Sequence, residues 1–241
     1  MDFLKERGVP IPILYKNSIG SQINTVNIDS KTWHVLLMEF IDGEHKEAYT
    51  SELIGQLASE QAKMHKAGIE FAKLNPASSS LHTIKEHEFI HLIDIDSLGS
   101  EHLRGLLARG KKYQYKLNGS IPKGYCHLDY DTGNVLADSN DQIKAILDFD
   151  DLTYTSVVVC LAFTLWSVLI VNDDWKLLDK YIDIYEGIRP LSKQEKSMIA
   201  PIILGRHYAL AGLLTLEGDM DNNKLTTYLR IEERLQEFLT L

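Results

Sequence analysis

The sequence predicts an α+β fold in which a small β-rich N-terminal part precedes a large, mainly helical body. Two β-rich runs, Gln22–Ile28 and Trp33–Phe40, lie close together near the N-terminus, whereas apolar residues recur at helical spacing over most of the chain after Ser51. The remaining β signal is confined to two short apolar segments, Asn134–Ala137 and Ile143–Leu147. With 241 residues, of which 44% are hydrophobic, the chain is long enough to bury a full core.

The β-rich part is predicted to be a hairpin that follows an extended segment. Each proline in Val9–Pro12 disfavours helix in the residue before it. Asp29-Ser30-Lys31 separates the two β-rich runs, which favours an antiparallel hairpin. Asp42-Gly43 supplies turn residues after the second run, so we expect the chain to turn there into the helical body.

Helices are predicted for most of the remaining chain. Ser51–Lys66 carries apolar residues on one face and is expected to end at Gly68, and one helix or a pair is expected from Thr83 to Leu117 with a break near Gly99. Four further helices are expected at Val157–Val171, Trp175–Glu186, Ser192–Leu216 and Lys224–Leu239. Ser192 with Glu195 three residues later is typical of a capping box.

Composition narrows the function classes. A net charge of −9 argues against a general nucleic-acid binder, which needs a concentrated basic face. The acidic surface tolerates cationic substrates, although it is also what many soluble proteins show. Two cysteines, Cys126 and Cys160, are too few for a disulfide framework. The N-terminus shows no signal-peptide pattern and the apolar run Val157–Val171 is shorter than the ~20 residues that span a bilayer, so we expect a cytoplasmic protein without a membrane partner.

The strongest functional signal lies between His127 and Asp151. It contains Asp129, then Asn134 five residues later, then Asp148 after the next apolar run. Carboxylate and amide oxygens suit Mg²⁺, which usually takes only one or two protein carboxylates. Phosphoryl transfer needs one carboxylate for the acceptor's proton and two such ligands for Mg²⁺ on the nucleotide phosphates. The alternative is that these residues only form turns around an ordinary hairpin.

The spacing His-x-Asp-x4-Asn followed by Asp-Phe-x-Asp resembles the aminoglycoside phosphotransferase and choline kinase family, relatives of the protein kinases. Residues 36–43, Leu-Leu-Met-Glu-Phe-Ile-Asp-Gly, look like the strand and hinge between the two lobes of that family. The resemblance implies a protein-kinase-like fold with a truncated small β lobe and a large, mainly helical C-lobe. Residues 1–42 would be the remnant of the small lobe with its hinge, and residues 43–241 the C-lobe that carries the catalytic and metal loop.

The resemblance also implies roles for the residues of the motif. Asp129 would be the catalytic base, Asn134 and Asp148 would bind Mg²⁺, and His127 would hold the loop without reacting.

The substrates that the resemblance implies are ATP or GTP as phosphate donor and a small hydroxylated, in some cases cationic, acceptor. The adenine or guanine would contact the backbone carbonyl of Glu39 and the backbone amide of Ile41. The candidates for acceptor binding are Asp131, Asp150 and Asp151.

The sequence departs from the family pattern in several places. Leu128 replaces a glycine, Asp131 stands where many members have histidine, and Cys160 stands where many have an aspartate that braces the catalytic loop. We expect Cys160 to be a small buried apolar residue, with the brace supplied from elsewhere. The family's first strands, glycine-rich loop and phosphate-binding lysine would precede Met1, so this chain is expected to be a poor kinase.

Without those strands, the apolar strand edge at residues 33–40 would lack its neighbour. We expect a second copy of the chain in a homodimer, a partner, or a rearranged N-terminus to cover it.

Two functions from different classes remain open. The first is a small-molecule kinase that phosphorylates an aminoglycoside, amino alcohol or sugar-like hydroxyl, and the second is a non-catalytic kinase-like binding or assembly module. A protein kinase is disfavoured because the chain from Asp148 to the helix at Val157 leaves no room for a long activation segment.

Overall fold

The computed structural model of the protein describes residues 1–75, 90–117, 121–172 and 174–240. Its helices are α1 (Asp2–Lys5), α2 (Ser51–Leu74), α3 (Glu101–Lys112), α4 (Val157–Asn172), α5 (Trp175–Ile188), α6 (Lys193–Glu217) and α7 (Asn222–Thr240). Its strands are β1 (Ile23–Ile28), β2 (Lys31–Leu36), β3 (Lys123–His127), β4 (Val135–Ala137), β5 (Ile143–Ile146) and β6 (Leu152–Ser156). The structure therefore has the predicted α+β fold, with a small sheet part and a large helical part.

The predicted N-terminal hairpin is confirmed. β1 and β2 pair antiparallel from Ile23 opposite Leu36 to Ile28 opposite Lys31. The two turn residues between them, Asp29 and Ser30, have positive φ angles of 50° and 63°. A two-residue turn of this kind matches the right-handed twist of the strands that it joins.

The second strand is shorter than predicted. Regular pairing stops at Leu36 instead of reaching Phe40, and Met38 forms a single bridge with Leu14. In this bridge Tyr15 N donates to Leu37 O (2.9 Å), and Glu39 N donates to the carbonyl of residue 13 (2.8 Å). The strand is interrupted because its partner changes here from β1 to the extended N-terminal segment.

That N-terminal segment does not cover the predicted open edge. In an antiparallel hairpin with a two-residue turn, every second residue from Lys31 directs its backbone groups towards β1, and Leu37 and Glu39 belong to this set. The segment therefore lengthens the β1 side of β2. The opposite edge has no neighbouring strand in the described part of the chain.

The hydrophobic core lies in the helical part. α4 is buried along almost its whole length, and it packs against α6, while α2 packs against α5 and α7 against α6. α6 is long and apolar enough to cross a membrane by length and composition alone, but half of that apolar stretch is buried inside the fold, as in the core helix of a globular protein.

α2 does not end at Gly68, as predicted, but continues to Leu74. A Cβ at Gly68 would lie 2.1 Å from the carbonyl oxygen of Tyr125, and a Cβ at Gly124 would lie 2.7 Å from Ile69 N. Gly68 is therefore present because helix and strand approach closely, not because the helix stops. This contact fixes β3, which leads into the functional motif, against α2.

One strand pair was not predicted. β3 and β6 pair antiparallel, from Lys123 opposite Ser156 to His127 opposite Leu152. Beyond the N-terminal hairpin, strands were predicted only at Asn134–Ala137 and Ile143–Leu147, so neither Lys123–His127 nor Leu152–Ser156 was expected to be one. Both strands are short, and pairing between residues far apart in sequence stabilises them more than their local composition does.

The other helix predictions hold in part. The capping box of Ser192 and Glu195 is present at the start of α6. Of the helix predicted from Thr83 to Leu117, residues 83–89 lie outside the described residues, residues 90–97 form two short 3-10 turns, and α3 covers residues 101–112. Ser100 begins α3 by accepting a hydrogen bond from Leu103 N, which agrees with the predicted break near Gly99.

Candidate active site

The motif that begins at His127 corresponds to one loop and one hairpin. The loop joins the end of β3 to the start of β4, and β4 pairs antiparallel with β5, with Val135 opposite Ile146. Leu147 N donates to Asn134 O (2.8 Å), which extends this pairing by one residue at the open end of the hairpin. Asp148 follows directly, so the structure brings the two predicted metal ligands to the same end of one hairpin.

Asn134 also holds Asp129. Its Nδ2 donates to the Asp129 backbone carbonyl (2.8 Å) and to Asp129 Oδ2 (2.9 Å). Because the amide nitrogen is used in this way, the amide oxygen of Asn134 is left without a hydrogen bond among the described residues. Asp129 and Asn134 are both partly exposed, so a nucleotide and an acceptor can reach them.

His127 ties the loop to the hairpin. It is 3% exposed, its Nε2 donates to Leu147 O (2.7 Å), and its ring packs 4.8 Å from that of Phe149. Burial lowers the pKa of His127, although the Leu147 carbonyl and the nearby Asp129 oppose this effect. This buried ring therefore holds the end of β3 against the chain that follows β5.

Asp148 has an unusual backbone conformation. Its φ angle is +55°, in the left-handed region that aspartate tolerates better than most residues. Such backbone strain is often found at functional sites, where surrounding structure maintains it. Its Oδ1 accepts a weak hydrogen bond from Asp150 N (3.4 Å), and its side chain is exposed beside the end of the hairpin.

The three predicted acceptor-binding residues differ in their exposure. Asp131 is half-buried in the loop, where its Oδ1 accepts a hydrogen bond from Gly133 N (2.8 Å), whereas Asp150 and Asp151 are exposed beyond Asp148. Burial, with Asp129 contributing, raises the pKa of Asp131. Asp131 is thus partly a turn-former, which was the alternative interpretation of the motif.

Tyr49 lies beside the loop, and this position was not predicted from the sequence. It is buried, and burial together with the charge of Asp131 raises the pKa of its hydroxyl. No local pattern marks this tyrosine, because only the tertiary fold brings residue 49 to residue 131.

The predicted hinge lies beside the hairpin. The Glu39 carbonyl and the Ile41 amide form no hydrogen bond among the described residues, so both are open to a ligand. Shortly after them, Glu44 and Ala137 form a bridge in which each N–H donates to the other's carbonyl (2.9 Å). This bridge joins the chain that follows the hinge to β4, close to Asn134.

The oxygen ligands in the candidate site suit a Mg²⁺ ion that is bound mainly by nucleotide phosphates. No group of three or more histidine, cysteine, aspartate or glutamate side chains in the described ranges could hold a metal on its own. Asn134 and Asp148 offer two hard oxygens at the end of one hairpin, and Mg²⁺ commonly takes one or two such ligands together with phosphate oxygens and water. The residues present therefore fit this ion.

The contacts between α4 and the loop show that the prediction for Cys160 was incomplete. Cys160 is buried, as expected, but its thiol donates to His127 O (2.8 Å), so it is more than an apolar filler. Thr164, one helical turn later, donates to Tyr130 O (2.9 Å). A polar residue in the apolar helix 157–171 was the available signal, because a buried hydroxyl needs a partner.

Comparison with known proteins identifies the family. The sequence profile described as "Phosphotransferase enzyme family" matches residues 1–193, which is most of the chain. No curated protein matches the sequence at a significant level.

Several solved structures share the fold at low sequence identity. An amicoumacin kinase in complex with AMP-PNP, Ca²⁺ and Ami is 14% identical, with a TM-score of 0.67 over 98% of this chain and 75% of the other. An aminoglycoside phosphotransferase from Alicyclobacillus acidocaldarius is 16% identical, with a TM-score of 0.67 over 99% of this chain and 79% of the other. A microcompartment-associated aminopropanol kinase is 15% identical, with a TM-score of 0.61 over 97% and 77%. The chain has the protein-kinase-like fold of these structures, and it belongs to the phosphotransferase enzyme family.

Proposed function

We propose that the protein transfers the γ-phosphate of ATP or GTP to a hydroxyl of a small molecule such as an aminoglycoside, an amino alcohol or a sugar-like compound. The observation that carries this proposal is the side-chain pair Asn134–Asp129 at the same hairpin end as Asp148. It combines a positioned carboxylate with two oxygen ligands for a cation, as phosphoryl transfer requires.

In this proposal Asp129 is the general base. It accepts the proton of the acceptor hydroxyl while that oxygen bonds to the γ-phosphorus and the bond from the γ-phosphorus to the bridging oxygen breaks, which releases the nucleoside diphosphate. The two hydrogen bonds from Asn134 fix the carboxylate for this task. When bound to Asn134 and Asp148, Mg²⁺ would neutralise charge on the phosphates.

The nucleotide would lie between the hinge and the hairpin. The free Glu39 carbonyl and Ile41 amide can form hydrogen bonds with the base, and the bridge of Glu44 with Ala137 keeps this segment against β4. We accordingly assign residues 1–42 to the small lobe with its hinge and residues 43–241 to the C-lobe that carries the catalytic loop. The amicoumacin kinase complex with AMP-PNP and Ca²⁺ supports a nucleotide and a divalent cation as ligands.

The acceptor is proposed to be small, hydroxylated and in some cases cationic. Known structures of this fold include an aminopropanol kinase, a spectinomycin phosphotransferase and an ethanolamine kinase from Plasmodium vivax. The negative charge of Asp131 beside Asp129 favours a positively charged acceptor, and the exposed Asp150 and Asp151 are further candidates for binding it.

A second candidate function is a non-catalytic kinase-like binding or assembly module. The open edge of β2 and its exposed apolar side chains favour it, because such surfaces commonly bind other chains.

The test is acceptor-dependent release of nucleoside diphosphate. MgATP and MgGTP are each tested against a panel of aminoglycosides, amino alcohols and sugars, with the protein, with Asp129→Asn and with Asp183→Asn. Asp129→Asn keeps an oxygen that can accept the Asn134 bond but removes the base, so turnover should fall about 10²–10⁴-fold. Asp183 is exposed on the outer face of α5 and provides the matched control, whose turnover should be unchanged. Nucleotide binding without turnover of any acceptor would favour the binding module instead.

A further inference from the structure

A buried, uncharged chain of hydrogen bonds runs from α5 to the loop that carries Asp129. Tyr181 OH donates to Gln61 Oε1 (2.9 Å), and Gln61 Nε2 donates to Thr164 Oγ1 (2.6 Å). Thr164 Oγ1 in turn donates to Tyr130 O (2.9 Å). The three side chains that donate these bonds are at most 1% exposed. Every donor and acceptor along the chain is matched, so the orientation of the Gln61 amide is fixed.

A second bond from the same helix reaches the other side of Asp129. Cys160 Sγ donates to His127 O (2.8 Å), and Gln61 Nε2 also approaches Cys160 Sγ (3.5 Å). The loop is therefore held by its backbone carbonyls at residues 127 and 130, on both sides of Asp129. Because Cys160 and Thr164 are four residues apart on α4, one face of one helix provides both contacts.

We propose that Gln61, Cys160 and Thr164 are positioning residues that set the place of the Asp129 carboxylate, and that they do so without a buried charge. Their side chains contact each other and the backbone carbonyls of residues 127 and 130, and none of them is a reacting group. Neutral donors suit this place, since a buried carboxylate needs compensating partners, whereas a hydroxyl, a thiol and an amide need only one or two hydrogen bonds. The kinetic part of this inference rests on the proposed function, but the structural part does not.

The test compares variants that keep or remove each donor. Thr164→Val and Cys160→Ala remove the two donors to the loop, whereas Thr164→Ser and Cys160→Ser keep a hydroxyl that can reach the same carbonyl. Ser167→Ala is the matched control, because Ser167 also lies on α4 but, among the described residues, its hydroxyl bonds only to Phe163 of the same helix (3.4 Å). Amide hydrogen exchange over residues 128–134 is measured for each variant, together with kcat and KM of any turnover.

The donor-removing variants should exchange about tenfold faster in residues 128–134, as the loss of one buried hydrogen bond predicts, while exchange in α6 stays unchanged. Their kcat should fall with little change in the KM for nucleotide, and the serine variants should recover both readouts. Equal exchange in Thr164→Val, Cys160→Ala and Ser167→Ala would overturn the inference. A protein without turnover whose exchange still follows this pattern would refute the proposed function and leave the positioning role intact.

A second observation concerns the open edge of β2. Alternate residues of the hairpin share a face, and Trp33, Val35 and Leu37 lie on one face with exposures of 52%, 39% and 63%. The edge beside them presents free backbone groups at every second residue from Thr32. An apolar face next to a free edge is the arrangement to which another strand adds.

The order of residues along β2 fits a second copy of the chain. If two copies pair antiparallel about a two-fold axis at Val35, Trp33 of one copy lies opposite Leu37 of the other. The same register places Lys31 opposite Glu39, whose carboxylate lies 3.7 Å from Lys5 Nζ of its own chain, so at both ends a second lysine would join an existing ion pair. We infer that this edge forms a homodimer in this register, because a single register satisfies the apolar pairs and the charges together.

Sedimentation equilibrium of the protein tests this inference. The protein should dimerise, Val35→Glu should make it monomeric by placing like charges on the axis, and Lys31→Glu should weaken the dimer at least tenfold. Lys31→Glu combined with Glu39→Lys should restore it, and Lys16→Glu, an exposed lysine outside the register, should have no effect. A monomer at about 100 µM, a concentration between micromolar and millimolar dissociation constants, or a dimer that Val35→Glu leaves intact, would overturn the inference.

Discussion

The β1–β2 hairpin and the helical body are stabilised in different ways. The hairpin keeps its shape through a two-residue turn and strand pairing, and every residue of β2 is exposed. The body is stabilised by burial, with α4 enclosed by its neighbours over most of its length. A two-stranded hairpin is marginally stable alone in water, so the two regions should respond very differently to the same kind of change.

The candidate site depends mainly on the body. The loop with Asp129 is bound by α4 through Cys160 and Thr164, and His127 binds it to the end of β5. Of the proposed ligand contacts, those with the backbone of Glu39 and Ile41 come from the chain that continues β2. The positions of the metal ligands and of Asp129 should therefore withstand changes in the hairpin. Contacts with the adenine or guanine of the nucleotide should be more sensitive to such changes.

The largest expected effect concerns ion pairs. Arg189 and Glu195 pair with side-chain exposures of 7% and 2%, whereas Arg7 and Glu70 pair near the N-terminus with exposures of 28% and 52%. Glu195→Ala leaves a buried guanidinium unpaired and should lower the free energy of unfolding by about 3–5 kcal/mol. Glu70→Ala should lower it far less, because an exposed ion pair is screened by water and contributes little to stability. Urea unfolding of both variants measures the two free energies. Equal losses of unfolding free energy would contradict the expected difference between the two ion pairs.

Truncation of apolar side chains should show the same contrast on a smaller scale. Leu57 is fully buried in α2, and Leu57→Ala should cost about 2–5 kcal/mol because it leaves a cavity. Trp33 is half-exposed on the hairpin, and Trp33→Ala should cost under about 1 kcal/mol in the monomer despite the larger side chain removed. Unfolding is measured at low protein concentration, so that dimerisation does not contribute. A loss for Trp33→Ala as large as that for Leu57→Ala would show that the hairpin is part of the cooperative core.

The pH dependence of stability should come from the body. Burial lowers the pKa of His207 to about 4, although the hydrogen bond that its Nε2 donates to Tyr228 O (2.9 Å) and the nearby Glu232 oppose this effect. Its Nδ1 accepts from Trp166 Nε1 (3.2 Å). Between pH 6.5 and 4 the His207 side chain is protonated in the unfolded chain but not in the folded chain. Stability should therefore fall as pH falls through this range, by up to about 3 kcal/mol from this residue.

His207→Gln separates this effect from other groups. The variant should lose some stability at pH 7 but should show a flatter decline between pH 6.5 and 4. Burial also lowers the pKa values of His65 and His127, so part of the decline should remain. An identical slope in the protein and the variant would contradict the assignment to His207.

The smallest expected effect is a gain in the hairpin. Ser30 has a φ of +63°, where glycine is less strained than serine, so Ser30→Gly should stabilise the hairpin by about 0.4–1 kcal/mol. Slower amide exchange in β1 and β2 would reveal this gain. Ser139→Gly, in the exposed turn between β4 and β5 and without a positive φ, is the control and should give no gain.

The sequence predicted best those features that depend on neighbouring residues. The hairpin, the capping box at Ser192 and the motif spacing from Asp129 to Asp148 all depend on residues close together in the chain. Gly68 was misinterpreted because its reason is a carbonyl of Tyr125, which lies far away in sequence.

The same distinction explains what was missed in the site. Gln61 is one of many polar residues on the amphipathic α2 and Thr164 is a hydroxyl residue on the apolar α4, and neither indicates a function until the fold brings them together. The pairing of β3 with β6 likewise depends on contacts between residues far apart in sequence, which the mixed composition of two short strands does not predict.

The central claim, a nucleotide-metal site at the end of the β4–β5 hairpin, is tested most directly by thermal unfolding with MgATP and MgGTP. The protein is compared with Asp148→Asn, which still tolerates a positive φ but loses a carboxylate, and with Asp183→Asn on the outer face of α5. A ligand at about a hundredfold excess over its dissociation constant stabilises the folded state by about 2.7 kcal/mol, which raises Tm by several degrees. We predict a magnesium-dependent rise in the protein and in Asp183→Asn that is lost in Asp148→Asn. No rise with either nucleotide, or an equal rise in Asp148→Asn, would contradict the claim.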